Sequence, residues 1–452
     1  MMQKLTYKLT CIAILSLSGM LNALAQPQQA PLAPSAPIPN IQSNQPIQVQ
    51  IPQQPSNKLP KQQQYQQQQV ISSGSSTNYK DLKHLVNELP KVQTKSYDRP
   101  QIHLALILDV SGSMEGLLNQ AREELWKVIN LFNEIEYQGS SPEIRVALYT
   151  HGMSEASNGL FLEKRLSLTT DLDQVSEILF SIKTRGSLEF SPSSLLAASQ
   201  GLEWSSAPND FKAIIIAGNE EFVQGPLTMK EGFKVAKERA LITHTIHCGS
   251  PEQGIRDLWK RAAQLGGGQF LNINQNAKQQ YIETPFDDQI QEKNSQLNKT
   301  YIPYGRLGKR GIAKQKAQDM NASKMSKASA IQRSITKSNS YYSNDQWDLV
   351  DAYRKKSINL AKIQAKSLPK ELQSLDPQAL ESYIRNKQKQ RNEIQAQIAK
   401  LKNKRSIYLK EERSKRALSG KKRLDSVLIE ALRKQALSLG FKWKETALSE
   451  KK

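Results

Sequence analysis

Two apolar runs constrain this chain more than any other feature of it. Residues 102–108 read IHLALIL and residues 211–217 read FKAIIIA. Each is too short to be a membrane-crossing helix, and neither alternates with polar residues as a half-exposed strand would. A strand without alternation has to be covered on both faces. That occurs in parallel sheets, where crossover helices lie on either side. The surrounding pattern agrees. Residues 144–149, 241–248 and 269–273 read as further strands, and residues 160–168 read as a strand with the charges of a sheet edge.

Helical signals fall between the strands. Leu117, Leu118, Leu125, Val128, Ile129 and Phe132 recur near helical spacing after the first strand. Asp171 is placed to cap a helix running through Ile182, and Ser191-Pro192 reads as a cap with proline in the first helical position, opening a helix to about Trp204. Residues 229–240 and 252–265 read as two more helices, the second ended by Gly266-Gly267-Gly268. Alternation over residues 100–275 predicts an α/β domain, a doubly wound and mostly parallel, Rossmann-like sheet.

The flanks are different. Lys4 and Lys8, the uncharged apolar run 9–21 and Ala23-Leu24-Ala25 have the form of a signal peptide cut after Ala25. The expected address is export, to the periplasm or beyond, with no membrane span left after cleavage. Residues 26–77 are Gln, Pro, Ser and Asn with little to bury, the composition of a disordered linker. Residues 78–99 read as a short helical lead-in.

Beyond residue 275 no further buried strand is read. Residues 276–375 read as a polar helical region that includes a helix over 347–363. Residues 376–452 read as a basic helical hairpin or partial coiled coil, with Asp376-Pro377 opening a helix to about Ala417 and a closing helix over 425–439. The stripe Leu380, Ile384, Ile394, Ile398, Leu401 and Tyr408 is broken by Lys387, Arg391 and Arg405.

Charge divides the chain in the same place. The sequence has 63 Lys+Arg against 42 Asp+Glu, a net charge of +21, and residues 278–452 hold 39 of the former and 18 of the latter. The basic character therefore belongs to the extension. Such a surface attracts anionic envelope components or other polyanions, but no DNA- or RNA-binding motif accompanies it, so specific nucleic-acid recognition is not expected.

The chemistry is concentrated where the first apolar strand ends, at Asp109-Val110-Ser111-Gly112-Ser113-Met114. Ligands of open parallel sheets bind at the carboxyl ends of strands. One carboxylate and two hydroxyls curling around a point suit Mg2+ or Mn2+, which take six hard oxygen ligands. The competing reading of the same serines is a plain helix cap.

In this context the chain resembles the von Willebrand factor A family over about residues 100–275. The resemblance implies a metal-ion-dependent adhesion site with Asp109, Ser111 and Ser113 as first ligands and an open metal position that accepts a carboxylate from a protein partner. The family's threonine ligand corresponds to Ser187 in Arg185-Gly186-Ser187-Leu188-Glu189, where Glu189 could supply or orient a carboxylate. The family's Thr-Asp-Gly at the end of the fourth strand is replaced by Ala217-Gly218-Asn219-Glu220-Glu221, leaving Asn219 or Glu220 to substitute for the aspartate. The stretch IIIAGNEEFVQGPL, followed by HTIHCG, is similar to a subgroup of exported bacterial members with a basic helical extension.

Other candidates read as structure. His244 and Cys248 share one strand face and His247 takes the other, so the three cannot converge on a metal. Cys248 is expected to be a buried free thiol. No phosphate-binding loop, GxSxG or Ser-His-Asp pattern stands out. The expected class is a binding module that captures a protein through Mg2+ or Mn2+, not an enzyme. The alternative is an envelope-associated scaffold that acts through the basic helices with a degenerate metal site.

Overall fold

The computed structural model describes residues 79–114, 118, 128–132, 135–153, 159–184, 186, 188–273, 281–415 and 424–443. The expected signal peptide and Gln/Pro-rich linker, most of the helix expected after Met114, and Ser187 lie outside the described residues.

The expected sheet is present. Strand β1 (Gln101–Asp109) lies at its centre and is buried along its whole length. With β2 (Ile135–Tyr137) set apart, the main sheet adds β3 (Glu143–His151), β4 (Leu162–Thr169), β5 (Phe211–Gly218), β6 (Ile242–Cys248) and β7 (Gly267–Ile273). Its order is β4-β3-β1-β5-β6-β7. Counted along the chain this is 3-2-1-4-5-6, the doubly wound order, with its switch between β1 and β5. All neighbours are parallel except the edge strand β4, which runs antiparallel to β3. The charges of β4 therefore sit where a sheet edge needs them.

The unbroken apolar runs are explained by two cores. Ile102, Leu104, Leu106 and Leu108 point into one, and Ala105 and Ile107 into the other. The second core is filled by Leu195 and Ala198 from a helix over Ser191–Gly201, and by Phe233 and Trp259. Asp171 caps the helix α1 (Leu172–Ser181) as expected, its Oδ1 accepting from the Gln174 backbone N–H at 2.9 Å.

Several helices differ from the sequence reading. Residues 229–240 form two short helices, Met229–Gly232 and Lys234–Glu238. Residues 252–265 break at Leu258, whose φ of 69° is left-handed. Ser191 is the first helical residue and Phe190 takes the cap position. The helix read over 347–363 is confined to Leu349–Arg354, because Lys356 at φ 56° turns the chain and two 3-10 turns precede Leu368.

The extension shares the first core with the sheet. Ile290, Leu297, Ile331, Ile335, Trp347, Ile398, Leu428, Leu432 and Phe441 are buried in the same cluster as Leu104 and Leu106. Its main helices are α2 (Asp287–Asn298), α3 (Gly308–Met325), α4 (Lys327–Lys337), α5 (Leu349–Arg354), α6 (Pro377–Lys415) and α7 (Leu424–Ser438). Helix α3 packs on α1, α6 packs on α2 and α5, and α7 packs on β7. Arg333 of α4 pairs with Asp173 of α1 at 2.5 Å, both buried. Beyond the main sheet, β8 (Phe441–Trp443) pairs antiparallel with β2. This short strand past residue 275 buries only Phe441, with Lys442 exposed and Trp443 half-buried. No helix among the described residues is long and apolar enough to cross a membrane.

Candidate metal centre

The carboxyl end of β1 meets three other segments. Val110 N–H donates to the His151 carbonyl at 2.9 Å, which ties the loop to β3, and Gly112 N–H donates to the Gly186 carbonyl at 3.1 Å, which ties it to the loop before the Ser191–Gly201 helix. Within the loop, Ser111 N–H donates to Asp109 Oδ1 at 2.7 Å. Gly152 at φ +89° lies against this turn. A Cβ there would be 2.7 Å from Asp109 Oδ1 and 2.9 Å from the Ser111 nitrogen, so only glycine lets β3 pass so close. Gly218 brings the end of β5 in from the other side, its would-be Cβ 3.3 Å from Asp109 Cβ.

Asp109 and Ser111 are buried in this arrangement. So is Glu189, at 1% exposure. With both carboxylates ionised neither can donate, and Asp109 Oδ2 and both Glu189 oxygens are buried without a hydrogen-bond donor among the described residues. Burial pushes the Glu189 carboxyl up to about 9, and the Asp109 charge adds to the shift while Ser111 opposes it. No lysine or arginine forms a salt bridge to either acid among the described residues. His151, the register partner of Asp109, is fully buried, and burial lowers its pKa against the pull of Asp109, so it brings no compensating charge.

The other sequence candidates divide. The Ser113 backbone belongs to the turn Gly112–Met114, but its side chain lies outside the described residues, as does Ser187. Asn219 is half-buried and Glu220 exposed. Their carbonyls are engaged: Asn219 O faces His247 Nε2 at 3.3 Å, and Glu220 O accepts from Trp259 Nε1 at 2.7 Å. Glu189, which the sequence reading marks as able to supply or orient a carboxylate, is the buried acid whose carboxyl feels the Asp109 charge. Its signal was there as an acid two residues past the family's hydroxyl position, with no buried partner legible in the sequence.

The donor set fits a hard divalent cation, since it offers carboxylate and hydroxyl oxygens around buried acceptors that no protein donor satisfies. Groups of three or more His, Cys, Asp or Glu arranged to hold a metal are absent among the described residues. His244, His247 and Cys248 behave as packing groups. His244 Nδ1 accepts from Gln269 N–H at 3.1 Å, His247 Nδ1 lies 3.2 Å from Asn272 Nδ2, and Cys248 is a buried free thiol.

No family model and no curated protein matches the chain. Solved structures do. The BatB protein of Bacteroides thetaiotaomicron is similar at 16% identity and a TM-score of 0.30, over 38% of this chain and 90% of that one. The VWA domain of SpRpn10 is similar at 15% identity and a TM-score of 0.29, over 39% of this chain and 90% of that one. Proximal thread matrix protein 1 from the mussel byssus, solved with a zinc-occupied MIDAS motif, is similar at 11% identity and a TM-score of 0.29, over 39% of this chain and 43% of that one. These likenesses are slight, and the assignment rests on the chain itself. The 3-2-1-4-5-6 sheet with an antiparallel edge gives the described residues between 101 and 273 a doubly wound, mostly parallel α/β fold, with the Asp109-Val110-Ser111-Gly112-Ser113 loop at the end of its central strand.

Proposed function

We propose that this protein is an exported binding module that captures a protein partner through a divalent cation, Mg2+ or Mn2+, held at the carboxyl end of β1. The observation that supports it is the buried Asp109 carboxylate, with Oδ1 held by the Ser111 N–H and Oδ2 without a donor. Asp109, Ser111 and Ser113 would hold the cation, with Ser187 and then Asn219 or Glu220 completing the set. The bound cation supplies Lewis acidity toward a carboxylate of the partner. The chain's own groups orient it: Ser111 N–H fixes one Asp109 oxygen, and Gly152 and Gly218 let the neighbouring strands close around the acid.

The test is thermal melting of the full chain with Mg2+ or Mn2+, beside Asp109→Ala. At about 100 times the dissociation constant a bound ion adds roughly 2.7 kcal/mol to stability. A shift in wild type that Asp109→Ala lacks supports the reading. Equal shifts in both refute it.

The basic extension supports a second reading, an envelope scaffold. Arg385, Lys389, Lys400, Lys404 and Lys410 are exposed along α6, which favours an anionic surface as partner. Salt-sensitive binding to anionic lipid vesicles, unchanged by chelator and by Asp109→Ala, is its mark.

A further inference from the structure

We propose that Glu189 is a direct ligand of the cation, supplying the carboxylate that the end of β5 lacks. This rests on the metal-binding reading above. At β5 the sequence offers Asn219 and Glu220 in place of an aspartate, and Glu220 is exposed, with Asn219 only half-buried. Glu189, by contrast, is buried at 1% exposure, and its carboxylate feels both Asp109 and Ser111.

Its position is fixed from several sides. Gly112 N–H donates to the Gly186 carbonyl, which holds Gly186 against the β1 loop. Glu189 N–H donates to Gln224 Oε1 at 3.3 Å, and Ser191 N–H donates to the Glu189 carbonyl at 3.0 Å. The next residue, Phe190, is fully buried between the rings of Tyr79 and Phe161, at 5.2 and 5.3 Å, and beneath Gly225, where a Cβ would be 2.5 Å from its ring. With Phe190 locked into the core, Glu189 is aimed into the loop cluster.

The two buried carboxylates have three oxygens without a donor among the described residues. That arrangement is costly unless an ion sits between them. A divalent cation cancels both charges and gives each acid a partner. A site with two protein carboxylates retains its metal more firmly than a site with one, since affinity for hard cations rises with ligand charge.

The test uses the full chain and Mn2+, followed by loss of the free-ion paramagnetic resonance signal. Wild type is expected to bind one ion. Asp109→Asn and Glu189→Gln should each weaken binding about 100-fold or more, against about threefold or less for Glu221→Gln, an exposed acid outside the proposed ligand set. Glu189→Cys separates direct ligation from positioning, because a thiolate in the coordination sphere shifts preference to Cd2+ and gives a thiolate-to-metal absorption band. The band is read as the increase over wild type, which carries the same buried Cys248. Near-ultraviolet circular dichroism without metal checks folding. If Glu189→Gln misfolds, the Cd2+ band of Glu189→Cys decides. Wild-type Mn2+ affinity in Glu189→Gln, or no band in a folded Glu189→Cys that binds Cd2+, overturns the assignment while leaving Asp109 in place. No Mn2+ binding by wild type ends the metal reading with it.

Discussion

Replacing Arg391 with alanine tests how the extension is held together. Arg391 lies in the middle of α6 with a side chain 3% exposed, facing Asp348 and Asp351 at 2.6 and 3.1 Å through Nη1. Nη2 donates to the Thr300 carbonyl at 2.7 Å, Nε donates to Thr300 Oγ1 at 3.0 Å, and the guanidinium lies 4.1 Å from the Tyr301 ring centroid. One side chain thus joins α6, α5 and the segment after α2. Arg391→Ala leaves the buried Asp348 carboxylate without its cation, while Asp351 keeps Arg354 at 3.2 Å. Asp348 would keep the Ile302 and Asp351 N–H donors, at 2.7 and 3.0 Å, which softens the loss without replacing the charge. Breaking a buried pair in this way costs about 3–5 kcal/mol. Urea denaturation of the full chain, read by far-ultraviolet circular dichroism, measures the change, and an unaltered slope with denaturant keeps the comparison valid. A loss below about 1 kcal/mol would put Arg391 among exposed ion pairs and refute the buried network. Arg391→Met with Asp348→Asn should recover part of the loss, since the stranded charge is then removed too.

Further perturbations follow from single contacts. Gly152→Ala, at a φ of +89° and within 2.7 Å of Asp109 Oδ1, should lower the melting temperature and abolish Mn2+ binding, where a mid-loop glycine of no special role would change neither. Gly311→Ala lies inside α3, where alanine ordinarily gains about 1 kcal/mol, but its Cβ would meet the Trp347 ring at 2.3 to 2.6 Å. The sign should reverse to a loss of about 1–3 kcal/mol in the same urea assay. Burial, helped by Arg145 and Lys212, lowers His103 to about 3, and burial lowers His244 to about 4 against its Gln435 contact. The unfolded chain takes up protons at these histidines near pH 6.5 and the folded chain does not. Stability is therefore whole above pH 6.5 and falls by about 1.4 kcal/mol per pH unit for each histidine as pH drops toward 4. A flat profile from pH 7 to 4.5 would refute it.

The sheet was legible because its strands must be apolar on both faces, and no other arrangement of residues 102–108 and 211–217 satisfies that need. The loop proposed to hold a cation stood out in the sequence because a carboxylate and two hydroxyls follow directly on such a strand. Glu189 was harder to read. Its partner Asp109 lies eighty residues away in sequence, and only the Gly112–Gly186 hydrogen bond brings them together. The extension was misleading in an instructive way. Lys387, Arg391 and Arg405 interrupt the apolar stripe of α6, yet each reaches across the helix to a partner: Lys387 to the Lys299 carbonyl at 3.3 Å, Arg391 to Asp348, and Arg405 to Asp287 at 2.7 Å. A heptad pattern has no way to record a charge whose counter-charge sits on another helix. The helix over 347–363 was overread for a related reason, since apolar spacing continues past Lys356 while the backbone turns there.

The pairing of β2 with β8 sets an order of assembly. Ile135, Glu136 and Tyr137 leave the ribosome early and are matched to Trp443, Lys442 and Phe441 about three hundred residues later. Until then the β2 edge has no β8 neighbour, and Ile135 and Tyr137 lack the Phe441 ring that comes to lie 5.0 Å from Tyr137. Closing so long a loop costs only about 2 kcal/mol more than closing one a tenth as long, so the penalty is one of time more than of energy. A nascent or prematurely stopped chain carries an open strand edge beside uncovered apolar surface, the combination that invites pairing with another copy. The same clasp makes the far end of the chain a reporter for the whole: cleavage between α7 and β8 should loosen the wall around β2 long before it touches the loop at Asp109.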